Sequence, residues 1–276
     1  MFFKKLFNTV ILILSVSLLS CNSNQPNLTV GDYNAEAVKE VFSESGIENI
    51  TISPQSIIDR RVRNAAVKIT NRNRTGHGSG SYFSYRGFHL VITAYHVVDE
   101  IDPDKIVIIG RDNESVEAKL IYSNRQYDIA VLQPRAIMTS RTAIPLNILQ
   151  EEPEVNSTLI YTGFPSGHDL LTFQGNIAGF DMIDSQNRKA MLVHTYGWFG
   201  SSGSCLFNKW GRLVGILWGV DVEVFAVPQA QEDIIYASAA SEIDLDAVLE
   251  AACHSRRDRP LCQRLEQESI RERFGN

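Results

Sequence analysis

The sequence lacks the residue spacings that hold metals and the charge that binds nucleic acid. It has 4 cysteines and 6 histidines in 276 residues, with no Cys-x-x-Cys and no His-x-x-x-His pair. We therefore expect no zinc site, and no cofactor of another kind is indicated. The 26 lysines and arginines are outnumbered by 32 acidic residues, a net charge of −6. This balance argues against a general nucleic-acid binder.

No apolar run is long enough for a membrane-spanning helix, which needs roughly 20 residues. The longest covers residues 6–20, after Lys4 and Lys5, and it is interrupted by polar residues. A charged start followed by a short apolar segment predicts a secretory signal peptide over residues 1–21. The run ends in Leu18-Leu19-Ser20-Cys21, which resembles the bacterial lipobox, although Leu19 stands where a small residue is more usual.

The lipobox resemblance implies lipidation of Cys21, with ordinary signal cleavage nearby as the alternative. Both predict an exported protein. Lipidation further predicts a periplasmic protein of the bacterial cell envelope, tethered to the membrane by its N-terminus.

The sequence contains no repeat with a period of 20–50 residues, which excludes solenoids and propellers.

The rest of the chain divides into four further segments. Residues 22–53 are predicted to be a polar tether followed by a short amphipathic helix over residues 34–45. A turn at Ser53-Pro54 and strands from Arg60 onward open a first β-barrel, over residues 54–140. A second set of short strands predicts another barrel over residues 141–240, and residues 241–276 form a C-terminal helix and a charged tail.

The cysteines of the mature chain have separate predicted roles. Export permits disulfides, and Cys253 and Cys262 are close in sequence on either side of an Arg- and Pro-containing stretch. They are the candidate disulfide. Cys205 lies on an apolar strand and is expected to be a buried small hydrophobic residue.

Three short stretches carry residues suited to nucleophilic catalysis. Thr93-Ala94-Tyr95-His96 places a histidine after an apolar strand, and Asp128 opens the strand Ile129-Ala130-Val131-Leu132. The third stretch, Gly200-Ser201-Ser202-Gly203-Ser204, places a serine on a glycine turn, where its hydroxyl needs a base to become nucleophilic. In the order His, Asp, Ser, these stretches resemble the chymotrypsin-like (trypsin-fold) serine proteases, specifically the bacterial trypsin-like branch that includes the HtrA proteases.

The resemblance covers residues 53–252 and implies a fold, an activity and a site. The fold is all-β, with two six-stranded antiparallel Greek-key barrels and a C-terminal helix. The activity is serine endopeptidase cleavage of protein or peptide substrates through an acyl-enzyme, without a cofactor. His96 is then the general base, Asp128 orients it and Ser202 is the nucleophile. The backbone N–H groups of Gly200 and Ser202 form the oxyanion hole.

Departures from the family pattern are equally informative. Ser201 stands where many animal relatives have an acid that pairs with a new N-terminus, so we expect no activation of that kind. Residues 253–276 are too few for the PDZ domain of HtrA proteases. The residues expected to set specificity are His194, Thr195, Tyr196, Trp218 and Gly219.

No acid lies between Met191 and Ser202 in the segment that precedes the serine. This disfavours cleavage after basic residues, unless Asp221 reaches the pocket. We therefore expect a preference for small or apolar substrate side chains. Glutamate is the second candidate, because His194 and Thr195 offer a histidine and a hydroxyl.

Two readings compete with the endopeptidase. One is a catalytically silent binding module that keeps the protease fold. The other is an esterase, which is disfavoured because Ser204 replaces the last glycine of the Gly-x-Ser-x-Gly elbow, and because the His-Asp-Ser order is wrong for that fold.

Overall fold

The computed structural model describes residues 54–71, 73, 76–183, 188–224, 228–255, 260–265 and 267. The predicted signal peptide, Cys21, and the predicted tether and helix of residues 22–53 lie outside the described residues. None of the described helices is long and apolar enough to cross a membrane.

The first barrel closes six antiparallel strands in the order β1-β4-β5-β6-β3-β2, because β1 also pairs with β2. A two-residue strand, β7, pairs in parallel with β2 at its outer edge. The barrel interior is filled by apolar side chains from alternate strand positions, as the period of a strand requires. The strands are β1 (Ala66–Asn71), β2 (His77–Tyr85), β3 (Phe88–Ala94), β4 (Ile106–Ile109), β5 (Ser115–Asn124), β6 (Ile129–Pro134) and β7 (Ile144–Pro145).

The second barrel closes six strands in the order β10-β13-β12-β11-β8-β9. All of its pairings are antiparallel, and β12 and β13 form a long hairpin with two register shifts. Together with the first barrel, this confirms the predicted fold of two six-stranded antiparallel barrels. The strands are β8 (Thr158–Gly163), β9 (Leu171–Ile183), β10 (Arg188–His194), β11 (Cys205–Asn208), β12 (Leu213–Val224) and β13 (Pro228–Ala239).

One helix contradicts the predicted strand from Arg60. Residues Pro54–Ala65 form an α-helix, α1, whose Ile58 and Val62 are buried in the core. These two residues are four apart, which places them on one face of a helix. Pro54 was interpreted as a turn residue, but proline is also favoured at the first helical position because its φ suits the helix. The first barrel therefore begins at Ala66.

The C-terminal helix, α2 (Leu245–Ser255), begins later than the predicted Ser241. Residues Ala240–Glu242 form a separate 3-10 turn. The carboxylate of Asp244 then accepts a hydrogen bond from the Ala247 amide at 3.0 Å, and so caps the helix. A disulfide joins Cys253 to Cys262, the pair that the sequence analysis proposed.

Glu114 fastens the segment after β6 to the turn between β4 and β5. Its carboxylate accepts hydrogen bonds from the amide and hydroxyl of Thr139, at 2.7 and 2.8 Å. It also accepts them from the amide and hydroxyl of Ser140, at 3.0 and 2.6 Å. Burial raises the pKa of Glu114, but these bonds outweigh it and lower the pKa to about 2.

Replacing Glu114 by glutamine is therefore expected to destabilise the fold in a pH-dependent way. The lowered pKa means that the carboxylate stabilises the fold fully above its ordinary pKa of 4.5, and that this contribution disappears as the pH falls through about 2. The Tm of Glu114→Gln should lie below that of the wild type at pH 7, and the difference should shrink between pH 4.5 and 2. Glu151→Gln, at an exposed position, is the control; an equal Tm difference at all pH values would contradict this role.

Candidate active site

Strand pairing brings His96 and Asp128 together. Strand β3 ends at Ala94 and continues into the 3-10 turn Tyr95–Val97, which carries His96. Asp128 directly precedes β6, and Ala94 is paired with Ile129 in the β3–β6 ladder. The two residues thus leave neighbouring strands at the same end of the first barrel.

Asp128 holds His96 at two points. Its Oδ1 accepts a hydrogen bond from the His96 backbone N–H at 2.7 Å, and its Oδ2 lies 2.6 Å from the His96 Nδ1. An ionised carboxylate only accepts hydrogen bonds, so Nδ1 donates to it, and in the neutral imidazole Nε2 is then the nitrogen that has the lone pair. The Asp128 side chain is 14% exposed and that of His96 is 44% exposed. The orienting acid is therefore sheltered, and the imidazole faces the solvent.

The segment before Ser202 forms a type II turn. The Ser201 amide donates to the Trp198 carbonyl at 2.9 Å, and Gly200 has φ +94°, which this turn requires of its third residue. The carbonyl of Phe199 accepts a hydrogen bond from the Ser166 amide at 2.7 Å. That bond fixes the Phe199–Gly200 peptide, whose N–H points away from Ser166 because the two groups of a trans peptide are opposed.

Ser79, on β2, ties this turn to the first barrel. Its amide donates to the Ser202 carbonyl and its hydroxyl to the Gly200 carbonyl, each at 2.7 Å. The same hydroxyl accepts from the Phe164 amide at 2.9 Å. Gly203 must be glycine, since its φ is +86° and a Cβ would lie 2.1 Å from the Ser79 carbonyl oxygen. These hydrogen bonds engage the carbonyls of Gly200 and Ser202. The amides of the same two residues have no acceptor within the described part of the chain.

His96 and Ser202 line the same cavity, which has a volume of about 450 Å³. Its wall also includes His77, Gly200 and Phe199, a residue that is 77% exposed. In the described structure, no hydrogen bond joins the Ser202 hydroxyl to His96. Such bonds are often long in a free enzyme and tighten when substrate binds. The structure therefore brings His96, Gly200 and Ser202 to one cavity, with Asp128 directly behind His96.

If the Gly200 amide is the oxyanion donor that the resemblance to serine proteases implies, replacing Gly200 by alanine is expected to lower kcat for peptide hydrolysis by about 10²–10³, the usual cost of losing one such donor. A Cβ at this position would lie 2.4 Å from the Phe164 carbonyl oxygen and 2.6 Å from the His77 Nε2. The peptide must rotate to relieve these contacts, and its N–H then turns away. The measurement is kcat and KM for one peptide, with the Tm as a check on folding. An unchanged kcat would contradict the assignment of the Gly200 amide.

The structure gives the residues predicted to set specificity different surroundings. His194 ends β10 and is exposed, whereas Thr195 is buried and its hydroxyl donates to the Gln174 carbonyl at 3.2 Å. The Tyr196 ring packs on Phe173, with 5.2 Å between centroids.

Two side chains pack against the ring of Trp218. It stacks on Tyr236 at 5.3 Å, and the Arg188 guanidinium lies 4.0 Å from its ring centroid. Gly219 follows it on β12, and among the described residues a Cβ there would meet only Tyr236, at 4.0 Å. The side chain of Asp221 lies outside the described residues.

Sequence reasoning missed three parts of this site. His77 lies in a glycine-rich stretch that is typical of a loop, but it is the first residue of β2, and its Nε2 lies 2.9 Å from the Phe164 carbonyl oxygen. Ser79 and Phe164 are not among the predicted site residues, although each lies in a short glycine-containing motif. The available signal was that both motifs, Gly78-Ser79-Gly80 and Gly163-Phe164-Pro165, contain glycines that permit close backbone approach.

No metal site accompanies this geometry in the described residues, because they contain no cluster of three or more potential metal ligands. Cys205, three residues after Ser202, is fully buried and free. Burial raises the pKa of its thiol to about 12, so Cys205 is protonated and unreactive at neutral pH.

Comparison with known families identifies the class of site. The family model of the trypsin-like peptidase domain matches residues 78–216, half of the chain. The serine endoprotease DegS of Salmonella typhimurium is 31% identical over 175 residues, covering 57% of this chain and 46% of DegS. DegS of Escherichia coli K12 matches to the same extent. The chain thus spans about half the length of the curated relatives that it matches.

Solved structures give the same fold. A serine endoprotease from Yersinia pestis superposes with a TM-score of 0.55 at 24% identity, covering 72% of this chain and 68% of that one. The active form of a protease from M. tuberculosis superposes with a TM-score of 0.56 at 17% identity, covering 71% and 83%. At these identities the likeness establishes the two-barrel architecture alone.

Proposed function

Because the chain belongs to the trypsin-like peptidase domain family, we propose that it is a serine endopeptidase with the triad His96, Asp128 and Ser202. The observation that carries the proposal is the double hydrogen bond from His96 to the Asp128 carboxylate. In the neutral imidazole it selects the tautomer whose Nε2 has a lone pair, and His96 lines a cavity that Ser202 also lines.

In this mechanism, the Ser202 Oγ attacks the carbonyl carbon of the scissile peptide bond while His96 Nε2 takes its proton. Asp128 stabilises the imidazolium that forms. The Gly200 and Ser202 amides, which have no other acceptor among the described residues, donate to the developing oxyanion. His96 then protonates the leaving amine, and the ester on Ser202 is hydrolysed by water that His96 deprotonates.

Incubation with a peptide library, followed by mass spectrometry of the products, tests the activity. We expect new carboxyl and amino termini at matched positions, which an endopeptidase produces. Peptides that bind and remain intact would contradict the proposal and favour the alternative, a catalytically silent binding module.

The same library reports the residue before the scissile bond, for which we propose small or apolar side chains. Gly197, next to Tyr196, faces aliphatic groups: a Cβ there would lie 2.2 Å from Ile235 Cγ2 and 3.2 Å from Val220 Cγ1. Glutamate ranks second, because the Thr195 hydroxyl is already bonded to the Gln174 carbonyl. A cleavage profile dominated by Arg or Lys would contradict this preference.

We also propose that the protein is exported to the bacterial periplasm and anchored by a lipid on Cys21. The support is the order of residues 4–21: two lysines, a short apolar run and the lipobox-like end. Growth with an alkyne fatty acid should label the wild-type protein and not Cys21→Ser. Equal labelling of both proteins, or labelling of neither, would contradict the anchor.

A further inference from the structure

A second cavity, of about 550 Å³, adjoins the one that holds His96 and Ser202. The two cavities share Thr70, Gly76 and His77 in their walls. The hydroxyl of Thr70 donates to the Gly76 carbonyl at 2.6 Å, which fixes this shared edge. A chain that lies in the catalytic cavity can therefore extend past His77 into the second cavity.

The second cavity, which we call the basic cavity, is lined by more cationic than anionic side chains. Four cationic side chains line it, against the two carboxylates Asp112 and Asp169; the cations are Arg63, Lys68, Arg111 and Arg141. Among the described residues, none of the four forms an ion pair with a carboxylate.

Neutral groups accept the hydrogen bonds that its arginines make. Arg63 Nη1 donates to the Thr172 hydroxyl at 3.1 Å, and Arg111 Nη2 donates to the Asn64 Oδ1 at 2.5 Å. Such acceptors satisfy N–H groups but leave the positive charge uncompensated.

Arg141 is the cavity residue whose positive charge most needs a negatively charged partner. The residue is 7% exposed, its Nη1 reaches only the Arg63 carbonyl at 3.4 Å, and its Nε has no partner in the described structure. Burial lowers the pKa of Arg141 to about 10, the nearby Arg111 and Arg63 add to that effect, and the carboxylates of Glu114 and Asp112 oppose it without reversing it. Arg141 is still charged at neutral pH, no carboxylate among the described residues forms an ion pair with it, and a buried charge without a directly bonded counter-ion is costly.

We infer that the basic cavity is a specificity subsite that takes an acidic side chain of the peptide substrate, at a position other than the residue before the scissile bond. None of the specificity residues predicted from sequence lines this cavity. Guanidinium groups bind carboxylates in a planar, two-point geometry. The continuity through His77 favours a side chain of the bound substrate over a free anion.

This inference rests on the proposed endopeptidase function. The test compares kcat/KM for pairs of peptides that differ only by Glu or Gln at one position, scanned over the four residues on each side of the cleaved bond. At one or more positions other than the residue before the cleaved bond, kcat/KM should be higher for the Glu peptide than for the Gln peptide by on the order of 10-fold. This ratio corresponds to the contribution of a charge-assisted hydrogen bond. Raising the salt concentration should reduce that ratio.

Variants locate the effect. Arg111 is exposed, so Arg111→Gln is the first variant, and the buried Arg141→Gln is the second. Both should lower the Glu-to-Gln ratio severalfold or more, whereas Arg212→Gln, an exposed arginine outside the cavity, should retain the wild-type ratio.

The outcomes separate this inference from the function on which it rests. Cleavage without a Glu preference at any such position overturns the subsite and leaves the peptidase intact. A preference that Arg111→Gln and Arg141→Gln both retain also overturns it. If inorganic phosphate binds wild type more tightly than Arg111→Gln while no Glu preference exists, the cavity takes free anions and the substrate subsite is wrong. The absence of any cleavage overturns both proposals.

Discussion

Replacement of Ser202 by alanine is expected to lower kcat for peptide hydrolysis by about 10⁶, the loss measured for the nucleophile of another serine protease. The hydroxyl is the only group at this position that can form the acyl-enzyme. The Gly200 and Ser202 amides survive the change, so binding and oxyanion stabilisation remain. We expect KM to change little and a rate above that of uncatalysed hydrolysis to persist.

Ser204→Ala provides the matched control for this experiment. Ser204 is two residues away in the same turn, and its buried hydroxyl has no hydrogen-bond partner within the described residues. Its removal should leave kcat within a few-fold of the wild-type value, because no bond is lost. Equal activity of Ser202→Ala and wild type would contradict the assignment of Ser202 as the nucleophile. A loss of activity in Ser204→Ala alone would instead assign the nucleophile to Ser204.

Asp128→Asn is expected to lower kcat by about 10⁴, the loss that the same change of the triad aspartate causes in another serine protease. The carboxylate accepts from both the His96 backbone N–H and Nδ1. An amide has one oxygen and one NH₂ group, so it can accept only one of these bonds. If the oxygen stays on the backbone N–H, the NH₂ group faces Nδ1 and favours the tautomer that carries its proton on Nε2. That tautomer cannot accept the proton of Ser202.

Asparagine also suits the backbone at this position. Asp128 has φ +55°, in the left-handed region where Asn and Asp are tolerated better than other residues with a side chain. The Tm of Asp128→Asn should therefore stay close to that of the wild type, whereas Asp128→Ala would combine catalytic loss with backbone strain. A wild-type kcat in Asp128→Asn would contradict the orienting role of Asp128.

The strands and the positions of His96, Asp128 and Ser202 could be predicted from sequence because their signals are local. The apolar strands β3 and β6 carry their own period and fix where His96 and Asp128 leave the barrel. The glycines of the serine turn are likewise local, and the structure gives Gly200 and Gly203 the positive φ angles that favour glycine.

What could not be predicted depends on contacts between distant segments. The bonds from Ser79 to Gly200 and Ser202 span more than 100 residues of sequence, so no pattern in either stretch reveals them. The basic cavity has the same origin, since Arg63 comes from α1 whereas Arg141 follows β6. Helix α1 was missed for another reason, because the signal at Pro54 suits both a turn and a helix start.

The most direct test of the proposed mechanism is reaction of the folded protein with a fluorophosphonate, followed by peptide mapping of the adduct by mass spectrometry. An organophosphorus ester forms only on a serine whose proton is taken by a positioned base and whose oxyanion is stabilised. We predict a single adduct on Ser202, absent from Ser202→Ala and from the unfolded protein. The absence of an adduct on the folded protein, or an adduct on a serine other than Ser202, would contradict the account.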